Sequence, residues 1–301
     1  MLKLKSDSLL LLTAAIWGTA FVAQRVGMDH VGPFTFNGLR FALGALSLLP
    51  LLYATRNRKL IPPAIRPQAG RKTMVLGGGL AGLALFLGAS LQQVGLVYTT
   101  AGKAGFITGL YVVIVPLLGL FWKQRPGFGT WLGAALAAWG LYYLSVTASF
   151  TLAFGDLLEL IGAFFWAGHV LIVGWLSPRM DSLKLAFFQF AVCSLLSLIT
   201  AVFTESLALP PILAAAVPIC YGGLVSIGIA YTLQVVAQKE AKPAHAAILL
   251  SLEAVFAALG GWVILGETLS PRGLLGCGLM LLGMLLSQLQ PIIFPKSGPK
   301  T

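Results

Sequence analysis

The chain is written twice, and that duplication limits its fold more than any other feature. Asp7 and Trp17 recur as Asp156 and Trp166, each 149 residues later. Leu91, Gln92 and Val94 recur as Leu233, Gln234 and Val236, and Leu110 recurs as Leu252, all at an offset of 142. Gly133 and Gly140 return as Gly276 and Gly283 at 143. Three blocks in the same order, with nearly constant offsets, mark a repeated unit covering 1–149 and then 150–290. Each copy holds five apolar stretches. An odd number of membrane crossings per copy makes the second copy enter from the opposite face, so the halves are expected to be related by inversion. Alternating-access transporters use that architecture and hold substrate near the midplane between the halves.

The stretches are long enough to be spans. Hydrophobic residues make up 58% of the 301, charged residues only 10%, and the mean hydropathy is +0.90. A soluble domain carries about 25% charged residues. A helix crossing a bilayer needs about 20 mostly apolar residues. The intervals 8–27, 34–54, 74–97, 101–122, 127–146, 155–176, 184–204, 211–237, 243–264 and 271–290 meet that need. The expected fold is therefore an all-α polytopic membrane protein with ten transmembrane helices in a 5+5 inverted repeat. A transmembrane barrel would instead show short segments of alternating polarity. Leu9–Ala23 carries the repeat pattern, so it reads as the first span rather than a cleaved leader. The end of the chain, 291–301, holds Pro291, Pro295 and Pro299 and reads as a disordered tail.

The net charge of +11 is distributed by topology. With the N-terminus in the cytoplasm and the connections assigned alternately, 16 of the 20 basic residues fall inside. The connection from Thr55 to Thr73 alone carries six, among Pro62, Pro63 and Pro67. Outside lie Arg25, Lys103 and Arg272, and Arg40 sits within a span. This positive-inside bias puts both termini in the cytoplasm. The excess is a partner for anionic lipid rather than a nucleic-acid footprint. Cys193, Cys220, Cys277 and the three histidines show no metal-ligand or redox spacing, so neither a metal nor a cofactor is expected. No phosphate-binding loop of the Walker type is present, which argues against direct use of ATP.

Ionisable groups inside a span are costly and mark function by default. Glu253 lies about ten residues into the ninth interval, near the midplane, and its repeat equivalent is Tyr111. A hydroxyl and a carboxyl should therefore face each other across the pseudo-symmetry axis. His169, midway along the sixth interval, can relay a proton or bond a substrate carboxylate; a histidine satisfied by a neighbouring carbonyl fits equally. Trp17 and Trp166 sit at matched mid-span positions, away from the interfaces where tryptophan anchors, and suit either pocket walls or packing. Arg25 should snorkel. Arg40 is deeper and calls for a partner, with Glu159, Asp156 or Glu267 as candidates, in a pair that would serve either as an extracellular gate or as a fixed clasp. Lys103 and His245 are repeat equivalents and read as solvated span ends. Small-residue spacing such as Gly129 to Gly133 lets backbones touch, within the bundle or in a homodimer.

Trp17-Gly18, Leu39-Arg40-Phe41, the run Tyr98–Ala104 (YTTAGKA), the run Leu250–Leu259 (LSLEAVFAAL) and Gly266-Glu267 stand in an order similar to that of the drug/metabolite transporter superfamily, EamA type. The likeness covers nearly the whole chain. Ala254 departs from it where many members have proline after the glutamate, so the helix should be straighter there. The resemblance implies an inner-membrane secondary transporter, most often an exporter of amino acids, related metabolites or toxic compounds, and not an enzyme. The expected substrate site is Trp17, Arg40, Tyr111, Trp166, His169 and Glu253. Glu253 and His169 would carry protons if protons are the coupling ion, and Arg40, Glu159 and Glu267 would gate. The competing class, a membrane-embedded enzyme or accessory subunit acting on lipid-like molecules, needs paired carboxylates, a metal cluster or an activated nucleophile at one depth. Glu253 has no carboxylate neighbour in sequence.

Overall fold

A computed structural model describes residues 2–56, 70–98, 101–145, 154–265 and 270–293. Among them every regular element is a helix. In chain order these are α1 (Leu2–Met28), α2 (Pro33–Arg56), α3 (Arg71–Tyr98), α4 (Ala101–Gly109), α5 (Tyr111–Phe121), α6 (Phe128–Ser145), α7 (Phe154–Leu176), α8 (Ser182–Thr204), α9 (Leu209–Ala214) and α10 (Ala216–Cys220). There follow a π-helical segment (Tyr221–Tyr231), α11 (Thr232–Ala237), α12 (Pro243–Leu250), α13 (Glu253–Leu265) and α14 (Pro271–Ile293). Six helical stretches are long and apolar enough to cross a membrane: Leu4–Met28, Pro33–Thr55, Lys72–Tyr98, Phe154–Leu176, Ser182–Thr204 and Ala216–Ala237. Shorter apolar helices accompany them. Large apolar side chains such as Leu46, Leu80, Phe203 and Val217 are exposed along the sides, a surface that soluble monomers do not present and lipid would cover.

Two of the expected continuous spans are interrupted instead. In 101–122 the helix tightens at Leu110, whose N–H bonds the carbonyl of Ile107, three residues back, at 3.2 Å. In 243–264 the same happens at Leu252, whose N–H reaches Leu249 at 3.3 Å. The next turn matches too: Ile114 N–H bonds Leu110 at 3.2 Å, and Phe256 N–H bonds Leu252 at 3.0 Å. All four residue pairs are related by the sequence offset of 142. The expectation of a straighter helix at Ala254 is therefore corrected. The turn tightens without proline: the Ser251 hydroxyl donates to the carbonyl of Ile248 at 2.9 Å just ahead of Glu253, and the equivalent turn at Leu110 follows Gly109, which has no hydroxyl. A third expected span, 211–237, contains the π-helical segment, whereas its sequence equivalent within α3 is ordinary α-helix.

Packing follows the repeat. α6 lies along α14, and α2 along α8. α1 packs on α13 and on the π segment, while α7 packs on α5 and α3. α2 also touches the π segment, as α8 touches α3. Glycine sets the closest approach. A Cβ on Gly133 would stand 2.6 Å from the carbonyl oxygen of Gly283, and one on Gly283 would stand 2.6 Å from that of Gly133. Gly140 meets the Gly276 oxygen at the same 2.6 Å. Only glycine lets two backbones come this near. α14 extends through Pro291 to Ile293, so that part of the expected tail is helical; 294–301 and the centre of the basic connection, 57–69, lie outside the described residues.

Gly133→Val should therefore force α6 from α14 and cost about 1–3 kcal/mol, the usual penalty of overpacking. Gly278→Ala, where nothing lies within 4 Å of the added carbon, should change stability little. Thermal unfolding of the two variants in one detergent checks the difference; equal melting would remove the backbone contact as the cause.

Candidate functional site

The tightened helices deliver two polar groups to one place. Tyr111 opens α5 and Glu253 opens α13, and the Tyr111 hydroxyl donates to Glu253 Oε1 at 3.3 Å. Both are buried, as the repeat equivalence required of facing partners. Around them is a cavity of about 40 Å³, lined by all six residues singled out in the sequence: Trp17, Arg40, Tyr111, Trp166, His169 and Glu253. A volume near 40 Å³ admits a few water molecules, whereas ligand pockets measure about 300–1,000 Å³. The cavity is narrow in this conformation.

Each side chain is held from several directions. The Trp17 indole N–H donates to the carbonyl of Ser226 in the π segment at 3.3 Å, and Gly18 beside it lets α1 press on the Glu253 backbone. Trp166 lies against Gly88 of α3, where a Cβ would come within 3.1 Å of its ring. His169 Nε2 shares a hydrogen bond of 2.9 Å with Gln189 Oε1 on α8, so its partner is a side-chain amide rather than a carbonyl of the backbone. Its Nδ1, like the Trp166 indole N–H, has no protein partner among the described residues. Tyr231, which sequence inspection missed, is the hub. Its ring centroid lies 4.4 Å from that of Trp17 and 6.1–6.3 Å from those of Phe41, Trp166, His169 and Phe190. It ends the π segment, a local geometry that no sequence period announces.

Arg40 is only 5% exposed. Its Nε donates to Asn37 Oδ1 at 3.0 Å, and its guanidinium lies 5.4 and 5.2 Å from the ring centroids of Phe36 and Phe41. The pairing of Arg40 with Glu159 is not formed in this conformation. Glu159 accepts from the Thr108 hydroxyl at 2.7 Å and packs against Gly95, which holds it on the α3–α4 side. Asp156 is fully buried, and Glu267 lies outside the described residues. Arg25 donates to the Leu96 carbonyl at 3.3 Å from an exposed position. Gln92 and Gln234 also line the cavity. They are repeat equivalents, so the duplication itself was the signal that could have found them.

His245 departs from its reading as a solvated end. It is 9% exposed and bonded on both nitrogens, to Asp7 Oδ1 at 2.9 Å and to Ser287 Oγ at 3.0 Å. Among the described residues no group of three or more His, Cys, Asp or Glu side chains is placed to hold a metal ion.

A buried, glycine-packed cavity ringed by aromatic and ionisable groups, inside a bundle with an apolar flank, is what a membrane carrier requires. The profile of the EamA-like transporter family matches residues 4–146 and again 153–289. The chain belongs to the EamA-like transporter family. This EamA-family chain is 33% identical over 292 residues to a transporter of Archaeoglobus fulgidus described as uncharacterized, covering 96% of the chain and 87% of the relative. It is 26% identical over 285 residues to the inner membrane transporter YedA of Escherichia coli K12, likewise described as uncharacterized, covering 93% and 89%. A crystal structure superposes with a TM-score of 0.77 at 18% identity, over 96% of this chain and 99% of that one. That last likeness concerns the fold alone.

Gln189→Leu should leave the buried His169 imidazole without its polar partner and cost about 1–3 kcal/mol. Gln189→Glu, which keeps an acceptor, should lose less. Thermal unfolding in detergent checks the order of the two; a leucine variant as stable as the parent would show that the His169–Gln189 bond contributes nothing.

Proposed function

We propose that this chain is an inner-membrane secondary transporter that exports small amphipathic metabolites by alternating access, through ten spans in a 5+5 inverted repeat with both termini cytoplasmic. The repeats are 1–149 and 150–290. The observation that carries the reading is the meeting of Trp17, Arg40 and Tyr111 from the first half with Trp166, His169 and Glu253 from the second in one cavity. Three further features support it. The hydrogen bonds at Leu110 and Leu252 are related by the sequence offset. The most extensive helix packings across the halves have repeat-related counterparts. The π segment and its α-helical equivalent in α3 differ, and the two repeats of an alternating carrier must differ in any state open to one side only.

The lining indicates the kind of cargo. Trp17, Trp166 and Tyr231 offer aromatic faces to an apolar body, Arg40 a cation to an acidic end, and Glu253 an anion or hydroxyl to a basic one. His169 and Glu253 are the proton carriers if a proton gradient drives the cycle, and Arg40, Glu159 and Glu267 are the gate residues on the outer side. A cavity of about 40 Å³ must expand by helix movement to admit a metabolite.

Cells overexpressing the protein should grow on one class of inhibitory amino acids, amino-acid analogues or toxic amphiphiles that arrests cells with an empty vector. Glu253→Gln at equal expression should abolish that resistance. Resistance to no class on the panel would count against export. Under an imposed pH gradient, full resistance and full flux in both Glu253→Gln and His169→Ala would remove proton coupling through either group.

A further inference from the structure

A second titratable cluster lies away from the central cavity. His245, near the start of α12, bridges Asp7 of α1 and Ser287 of α14. Asp7 is ten residues, or about 15 Å of helix rise, from Trp17 on the same helix. Beside it the Ser6 hydroxyl donates to the carbonyl of Ala237, at the end of α11, at 2.6 Å. The N-terminal end of α1 is thus tied to three elements of the second half. Along α1 the central cavity is lined only by Trp17, Ala20, Phe21 and Gln24, all toward the other end. The ties join the two halves at this end of the molecule.

We propose that Asp7, His245 and Ser287 form a proton-binding latch that holds this end of the transporter shut. The inference goes beyond the central site and rests on the alternating-access reading. Its chemistry follows from the donors. With a neutral imidazole, Nε2–H donates to Asp7 and Nδ1 accepts from the Ser287 hydroxyl. With one proton added, Nδ1–H donates to Ser287 Oγ, which serves in either role, and the Asp7 contact becomes an ion pair. Both side chains are about nine-tenths buried, so the added charge is poorly screened and tightens the latch. Acidification therefore favours the shut end, and rising pH releases it.

The neighbours of His245 are compatible with this. A pocket of about 590 Å³ opens beside the cluster. Its charged groups are Asp7 on α1, Arg125 on the α5–α6 connection, and Glu240 and Lys242 on the α11–α12 connection. α14 contributes Ser287 and α6 contributes Thr130, neither of which titrates near neutrality; α5 and α7 bring no charged group to the pocket. A proton donated from the solvent-facing connection has a path to the imidazole. In the repeat, Asp7 corresponds to Asp156 and His245 to Lys103. The imidazole is thus particular to this copy of the repeat.

The test uses spin labels on the full chain in nanodiscs, with no substrate. Ser8→Cys and Lys239→Cys report the latch end, and Asp29→Cys with Leu207→Cys reports the far end, after replacement of Cys193, Cys220 and Cys277 by alanine. Between pH 5.5 and 8.0 the latch-end pair should shift from one short distance toward a longer population. His245→Gln, which keeps a hydrogen bond but no charge change, should abolish the shift, and Asp7→Asn should show the long population at both pH values. A latch-end distance indifferent to pH in the parent, or a shift that survives His245→Gln, overturns the proposal. If the far-end pair still interconverts between two distances, alternating access stands while the latch falls. If neither pair ever shows a second distance, both fall.

Discussion

The condition on which the whole structure depends is that backbone N–H and C=O groups have no water to bond in a bilayer. Any departure from the helical ladder must be enclosed by protein. The protein departs from it at Leu110 and Leu252, where bonds tighten to three residues, and in the π segment, where the turn widens. Each irregularity is wrapped. Ser251 returns its hydroxyl to the Ile248 carbonyl, while the Thr13 hydroxyl and the Trp17 indole donate to carbonyls of the π segment at 3.1 and 3.3 Å. The same departures position the chemistry. Tyr111 and Glu253 are the first residues after the two tightened turns, and Tyr231 is the last residue of the widened one.

Glycine supplies the second half of the design. In lipid there is little hydrophobic gain from bringing two apolar helices together, so close contact has to come from small residues. Gly133 with Gly283, and Gly140 with Gly276, bring α6 and α14 to backbone contact, away from the cavity lining. α3 uses glycine differently. Gly78 and Gly82 receive Phe188 and Val192 of α8, and Gly88 receives the Trp166 ring. A glycine facing a glycine fixes a distance, whereas a glycine under a bulky side chain forms a shallow socket that the partner can leave. The first arrangement suits a rigid seam and the second a surface over which helices reposition.

The duplication made much of this legible. Helical class, apolar intervals and the facing of Tyr111 and Glu253 follow from offsets and hydropathy, because a repeat fixes which residues are equivalent before any contact is known. The six residues chosen for burial cost or mid-span position line one cavity for the same reason: polar groups in a bilayer have few places to go. What escaped was whatever depends on local hydrogen bonding. Nothing in the apolar run Tyr221–Tyr231 distinguishes a π turn from an α turn, so Tyr231 was invisible as a hub. The Ala254 departure points to straightness because proline is the familiar helix breaker, yet the ladder is interrupted at Leu252 without one. His245 was assigned to solvent from its place at a span end; Asp7, 238 residues earlier, is adjacent only in space.

Arg40 and Glu253 show how the closed state is energetically arranged. A buried guanidinium left without a carboxylate is expensive. Arg40 recovers part of that cost from Asn37 Oδ1 and from the faces of Phe36 and Phe41, contacts that hold the group without neutralising it. Glu253 likewise keeps a single hydroxyl donor, Tyr111, at the long distance of 3.3 Å. Among the described residues neither group is paired with an opposite charge, and each is tethered by neutral partners of modest strength. Both therefore keep hydrogen-bonding capacity toward the cavity they line.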